Sequence, residues 1–194
     1  GVPGADSVYL RQSAVDIKWG LDQNGVTLTL LDIDSTFTGD FGLPITNPLG
    51  YYEYRQAEFL ANITTLNVGF GDGSGSQRIR INGQAAQTTI NCYGTGQPKE
   101  NGVKSFLWRG THASNVLNIW KGSMGVATLP GHAATIATVN VGSAENPASD
   151  VDLLLSSNCT LTTINQYGGK VECNAALTTW TVGRGDAEIN GTGA

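Results

Sequence analysis

Charge is scarce in this 194-residue chain: Lys, Arg, Asp and Glu make up 14% of it, against roughly 25% in ordinary globular proteins. The 11 basic residues form no cluster and are outnumbered by 16 acidic ones, for a net charge of −5. The basic footprint on which nucleic-acid binding depends is missing, and that class is excluded. Long apolar runs are missing as well. No stretch approaches the ~18 consecutive apolar residues of a membrane-spanning helix, and the opening GVPGADSVYL holds neither a basic region nor a hydrophobic signal core, so no membrane partner is expected. The cysteines, Cys92, Cys159 and Cys173, are odd in number and sparse. They read as reduced thiols rather than a disulfide framework, with a Cys159–Cys173 bridge as the rival reading. His112 and His132 have no metal-ligand spacing to each other or to a cysteine, so no metal and no cofactor is expected.

What is abundant is glycine, 26 residues, in a chain that is still 40% hydrophobic. Such a composition folds, but interior glycines at ~1 kcal/mol each argue against long helices. A short string recurs: TTLNV around Leu66, TTINC around Ile90, NVLNI around Leu117, ATVNV around Val139, TTINQ around Ile164 and TTWTV around Trp180. The central residues are 24, 27, 22, 25 and 16 apart, the last step being too short for a full unit. Each copy alternates apolar with polar residues and is rich in β-branched ones, which reads as a strand ending in a turn. The fold class expected is all-β, a short parallel β-helix (β-solenoid) with coils of about 22–27 residues. A β-sandwich or jelly roll is the alternative.

Stacking the copies places Leu66, Ile90, Leu117, Val139 and Ile164 in one inward core column. Val68, Cys92, Ile119 and Val141 form a second, which Gln166 breaks. Between them Asn67, Asn91, Asn118, Asn140 and Asn165 face the other way as an asparagine ladder, a structural device in which amides bond to their copies. A unit of this length has room for three short strands, and one unit divides into Val139–Val141, Val151–Leu155 and Leu161–Ile164, which implies a triangular section.

The first third differs in character. It holds 8 of the 15 aromatics and an extended loop marked by Pro44 and Pro48, where Tyr51, Tyr52, Tyr54 and Arg55 crowd together. Residues 1–61 are expected to form an N-terminal cap or interaction segment over a repeat domain at 62–194. Tyrosines beside an arginine are typical of protein contacts, so these four residues are the candidate interface.

The search for chemistry returns little. Paired carboxylates two residues apart, Asp32 with Asp34, Asp150 with Asp152 and Asp186 with Glu188, share a strand face at roughly 7 Å, a spacing compatible with glycoside hydrolysis. It is equally the default of solvent-facing positions, and no aromatic or arginine-rich groove accompanies them in the sequence. Asp32, Asp34 and Asp40 lack the glycine and terminal glutamate of an EF-hand loop. Arg184-Gly185-Asp186 reads as an accident of a glycine-rich turn. Asn62, Asn158 and Asn190 open glycosylation sequons that this composition produces readily. No catalytic residue is assigned, and the chain is not expected to be an enzyme.

The strings ITTLNVGFGDGSGSQRIRI, TTINCYGTG, FLWRGTHASNVLNIWKGSMGVA, NPASDVDLLLSSNCTLTTINQYGGKVECNAALTT and SAVDIKWGLDQNGVTLTLLDIDSTFTGDFGLP resemble a group of proteins from tailed-phage and prophage gene sets. The resemblance covers most of the chain and carries no catalytic motif. It implies a virion structural protein, a head decoration (cement) protein or an adhesive fibre component. The function expected is non-enzymatic shell stabilisation on the virion, with the major capsid protein and further copies of the chain, as a homotrimer, for partners. The alternatives are a receptor-binding or polysaccharide-cleaving tail spike domain and a bacterial surface adhesin, which would place it on the extracellular surface.

Overall fold

β-Branched and apolar residues alternating with polar ones bury one side of an extended chain, and the repeated strings place such segments at regular intervals. The computed structural model describes residues 6–18, 22–43, 45–46, 52–53, 58–71, 74–99 and 101–191. Every regular element among them is a β-strand, and none is a helix that could cross a membrane.

The strands fall into two ladders of one large sheet. The first contains β1 (Asp6–Leu10), β3 (Asp22–Asp34), β7 (Phe59–Phe70), β9 (Thr89–Cys92), β11 (Val116–Ile119), β13 (Ala134–Val141) and the first half of β15 (Cys159–Cys173). The second contains β2 (Ile17–Lys18), β4 (Phe41–Leu43), β8 (Ile79–Asn82), β10 (Phe106–Arg109), β12 (Gly122–Val126), β14 (Ala148–Leu155) and the second half of β15. β16 (Thr179–Ile189) lies along both halves of β15. All pairings in this sheet are parallel, and because β7 also pairs with β8, the run β7, β9, β11, β13, β15, β14, β12, β10, β8 closes into a barrel-like ring. The antiparallel exception is the short pair β5 (Ile45–Thr46) and β6 (Tyr52–Glu53). Parallel pairing excludes the sandwich and jelly-roll alternative, whose sheets are antiparallel; an all-β chain of parallel strands stands.

Three details differ from the sequence reading. Each repeat supplies two strands, not three: Leu161–Ile164 belongs to β15 and so to the rung after β13 and β14. The section is therefore two-sided rather than triangular. The last step of 16 residues does complete a rung, because β15 passes straight from one ladder to the other at Gly168 and Gly169 and returns through residues 174–178, setting Ile164 opposite Trp180. The third concerns residue 61. β7 runs through the expected domain boundary, and the first segment contributes rungs of its own, with Val8 opposite Leu31 and Leu31 opposite Leu66.

The core lies between the ladders. On one side Leu31, Leu66, Ile90, Leu117, Val139 and Ile164 are fully buried and follow one another in register. On the other, Ile79, Phe106, Met124, Leu153 and Val171 form the facing column. Gln166 interrupts the apolar set without cost to hydrogen bonding. Its Nε2 donates to the carbonyls of Gly169 (3.2 Å) and Asp186 (3.0 Å), and its Oε1 accepts from Trp180 Nε1 at 3.2 Å. This amide braces the bend where β15 changes ladder.

All three cysteines carry free, buried thiols. Burial away from water disfavours the thiolate, pushing Cys92 up to about 12 and Cys159 to about 11, and raising Cys173. None is a nucleophile at neutral pH.

Candidate functional site

The outward side of the first ladder carries the asparagines. Asn91 Nδ2 donates to Asn67 Oδ1 at 3.0 Å, Asn118 to Asn91 at 2.9 Å, Asn140 to Asn118 at 2.8 Å and Asn165 to Asn140 at 3.0 Å. An amide offers two N–H donors and two carbonyl lone pairs. An internal ladder member spends one of each on its neighbours and keeps one of each for whatever lies outside. The register continues upstream to Asp32, opposite Asn67, and Tyr9, opposite Asp32. There Arg11 Nη2 donates to Asp32 Oδ2 at 2.7 Å while its guanidinium lies 4.5 Å from the centre of the Tyr9 ring.

Beside the amides runs a set of aromatic rings. Phe70 meets Tyr93 edge-on at 5.1 Å, and Tyr93 stacks on Trp120 at 4.9 Å with their planes 5° apart. Tyr167 stands further along, over Gly183. The pairing of amides with rings was not anticipated from the sequence. A signal was present, because Tyr93, Trp120 and Tyr167 each stand two residues after a ladder asparagine.

The paired carboxylates are spread over the molecule, and Asp32, Asp34 and Asp152 are engaged by neighbouring groups. Asp32 is buried against Arg11, and Asp34 accepts the Thr36 N–H at 2.6 Å; hydrogen bonding by Thr36 holds the Asp34 carboxyl below its usual range. Asp40 is buried under Lys99, whose Nζ lies 2.8 Å from both its oxygens. Asp152 accepts from Lys104 at 2.5 Å. Asp186 and Glu188 lie on exposed β16, opposite Lys170 and Glu172. The Arg184-Gly185-Asp186 string is therefore inside a paired strand rather than in a turn. Among the described residues no three His, Cys, Asp or Glu side chains gather as metal ligands would. His112 Nδ1 accepts from Ser114 N–H, and His132 is buried 3.4 Å from Glu58 Oε1.

Of the candidate interface, Tyr51, Tyr54 and Arg55 lie outside the described residues. Tyr52 is described only through its backbone, in β6, where it pairs with Thr46.

Fold and face together define an all-β protein of stacked parallel strands whose outer side carries amides and aromatic rings in register. No family model, no curated protein and no solved structure matches the chain.

Proposed function

We propose that this chain is a β-solenoid with two strands per coil that acts as a non-enzymatic structural protein of a tailed-phage virion, a decoration protein that reinforces the capsid shell. The observation that carries this reading is the exposed rung at β16. β16 is exposed along nearly its whole length, with Val182 at 48% and Ile189 at 56%, although both stand in columns that are fully buried on the rungs before. Among the described residues no strand pairs with its outer edge. An open, partly apolar edge of this kind invites pairing with another polypeptide. In this reading its occupant is the surface of the major capsid protein. The tyrosine segment at Tyr51, Tyr52, Tyr54 and Arg55 is assigned to the contact between copies, in a homotrimer that sits on shell positions of local threefold symmetry.

Val182→Lys with Ile189→Lys is expected to leave folding intact, because both side chains are already in water, and to abolish co-sedimentation with capsid shells stripped of this protein. Retention on the shell overturns the docking assignment. Light scattering at micromolar concentration is expected to give three chains per particle, and each large aromatic removed from the contact is expected to cost ~2 kcal/mol; a monomer counts against the trimer.

A separate test addresses chemistry. Asp150→Ala with Asp152→Ala is expected to leave shell binding unchanged. Release of oligosaccharides by the wild type that this double variant loses while still folded would replace the structural reading with an enzymatic one.

A further inference from the structure

The aromatic set has a gap at one rung, and the gap is built into the backbone. Tyr93, Trp120 and Gly142 hold equivalent positions on successive rungs: their N–H groups donate to the carbonyls of Val68, Cys92 and Ile119 at 2.8, 2.9 and 2.8 Å. Gly142 stands where the two rungs before it carry rings, and Tyr167 supplies the ring on the rung after. A side chain is barred at Gly142 twice over. Its φ is +67°, and a Cβ there would lie 2.3 Å from the Ala148 nitrogen. The turn that follows is tied by Ser143 N–H to Asn146 O (2.9 Å) and by Asn146 N–H to Ser143 Oγ (3.0 Å).

The resulting cleft has a volume of about 530 Å³. Trp120 and Tyr167 border it from strands two steps apart, about 9.6 Å at the ~4.8 Å spacing of neighbouring strands. A ring in contact with both needs about 7–8 Å, two van der Waals contacts of 3.5–4.0 Å. One face of Trp120 is taken by Tyr93, which leaves the other toward the gap. Tyr167 leans the opposite way, onto Gly183, where a Cβ would come within 2.7 Å of the ring. The amides of Asn118, Asn140 and Asn165 complete the lining beside Ser143 and Asn146, and no charged side chain takes part.

We propose that this cleft binds a neutral hexopyranose, its ring seated between Trp120 and Tyr167 and its hydroxyls on the outward N–H and carbonyl groups of Asn118, Asn140 and Asn165. Each sugar hydroxyl donates and accepts at once, as each ladder amide does, and the apolar C–H face of the ring matches the open face of Trp120. A partner's aromatic side chain would fit the thickness of the gap but leave the amides without partners. A uronic or sialic acid would find no cation for its carboxylate among the residues that line the cleft. The cleft opens on the outward side of the first ladder and, although Tyr167 leans onto Gly183 of β16, takes none of its lining from that strand, so its test does not depend on shell docking.

The test is titration of the full chain with the methyl glycosides of glucose, galactose, mannose and N-acetylglucosamine, and with glucuronic acid as the charged control, followed by calorimetry and by the side-chain amide NMR signals. At least one neutral glycoside is expected to saturate and to move the amide signals of Asn118, Asn140 and Asn165 while those of Asn67 and Asn91 move less. Trp120→Ala and the gap-filling Ser143→Trp are each expected to weaken binding by ~10-fold or more, whereas Phe70→Ala keeps it. No saturable binding by any neutral glycoside overturns the proposal, as does binding that survives Ser143→Trp. Shifts confined to amides outside the cleft do the same from the wild-type spectrum alone, whether or not either variant folds.

Discussion

Leu117→Asp is expected to leave no soluble folded protein, while Asn118→Asp, one residue along the same strand, is expected to fold. Leu117 is fully buried and stands in register between Ile90 and Val139. Truncating a buried leucine alone costs about 2–5 kcal/mol. An aspartate there must in addition either bury a charge or hold a proton at neutral pH, against a total stability of about 5–15 kcal/mol for a domain. At position 118 the side chain faces outward. Asn118 donates to Asn91 and accepts from Asn140; an aspartate keeps the second bond and loses the first, for a cost of about 1–3 kcal/mol. Expression, solubility and circular dichroism of the pair decide the matter. Equal damage from both would mean that the inward and outward sides of β11 have been exchanged.

The second large effect is expected at Glu58, which is buried at the start of β7 and gripped by Arg109: Nε lies 3.1 and 2.9 Å from its two oxygens, and Nη2 2.6 Å from the second. Burial raises the Glu58 carboxyl above its ordinary value of 4.5, and the arginine, with Arg80 further off, offsets part of that rise. Arg109→Met removes the compensation and is expected to destabilise the protein by about 3–5 kcal/mol near neutral pH, because a buried carboxylate is left without its cation. The loss should depend on pH with a definite sign. A carboxyl raised in the folded state favours folding below 4.5 and loses that contribution as pH rises through its folded value. Without Arg109 the folded value climbs further. The gap between variant and wild type therefore narrows as the solution is acidified and is widest above the raised value. Denaturant melts at several pH values measure it. A gap that stayed constant as pH was lowered would show that Arg109 acts through packing rather than through the charge of Glu58. Adding Glu58→Gln to Arg109→Met should recover part of the loss at neutral pH.

How much of this was legible in the sequence differs from element to element. The five-residue string marks its own strand, its own inward residues and its partner on the next rung, because a period-two pattern permits one register and a slip of a single residue would put leucines in water and asparagines in the core. The upstream rungs went unread for the same reason. Tyr9 and Asp32 occupy the asparagine position there, and without the repeated amide nothing in those strings announces the column. Two strands per rung instead of three is a matter of loop geometry. Cys159–Cys173 continues through its glycine bend where a turn and a new strand would have fitted the composition equally well.

The contacts that cross between repeats were not legible at all. Glu58 and Arg109 are 51 residues apart and lie in no repeated string, so their pairing depends on which loops the two ladders bring together. The gap at Gly142 is similar in kind: a lone glycine after a valine reads as an ordinary turn, and it becomes a cleft only because the rungs on either side set Trp120 and Tyr167 across from each other.

The sequence by itself determined that the chain would be all-β, that its strands would stack copy on copy, and which side of each copy would face inward, because alternation and repetition are local properties that every copy states again. Only the tertiary structure decided the number of strands per rung, the path by which the last repeat closes, the burial of Glu58 beneath Arg109 and the opening between two rings. Each of these depends on the distance between residues far apart in the chain, and that distance is fixed by the ~4.8 Å stacking of one rung on the next and by the loops that join them.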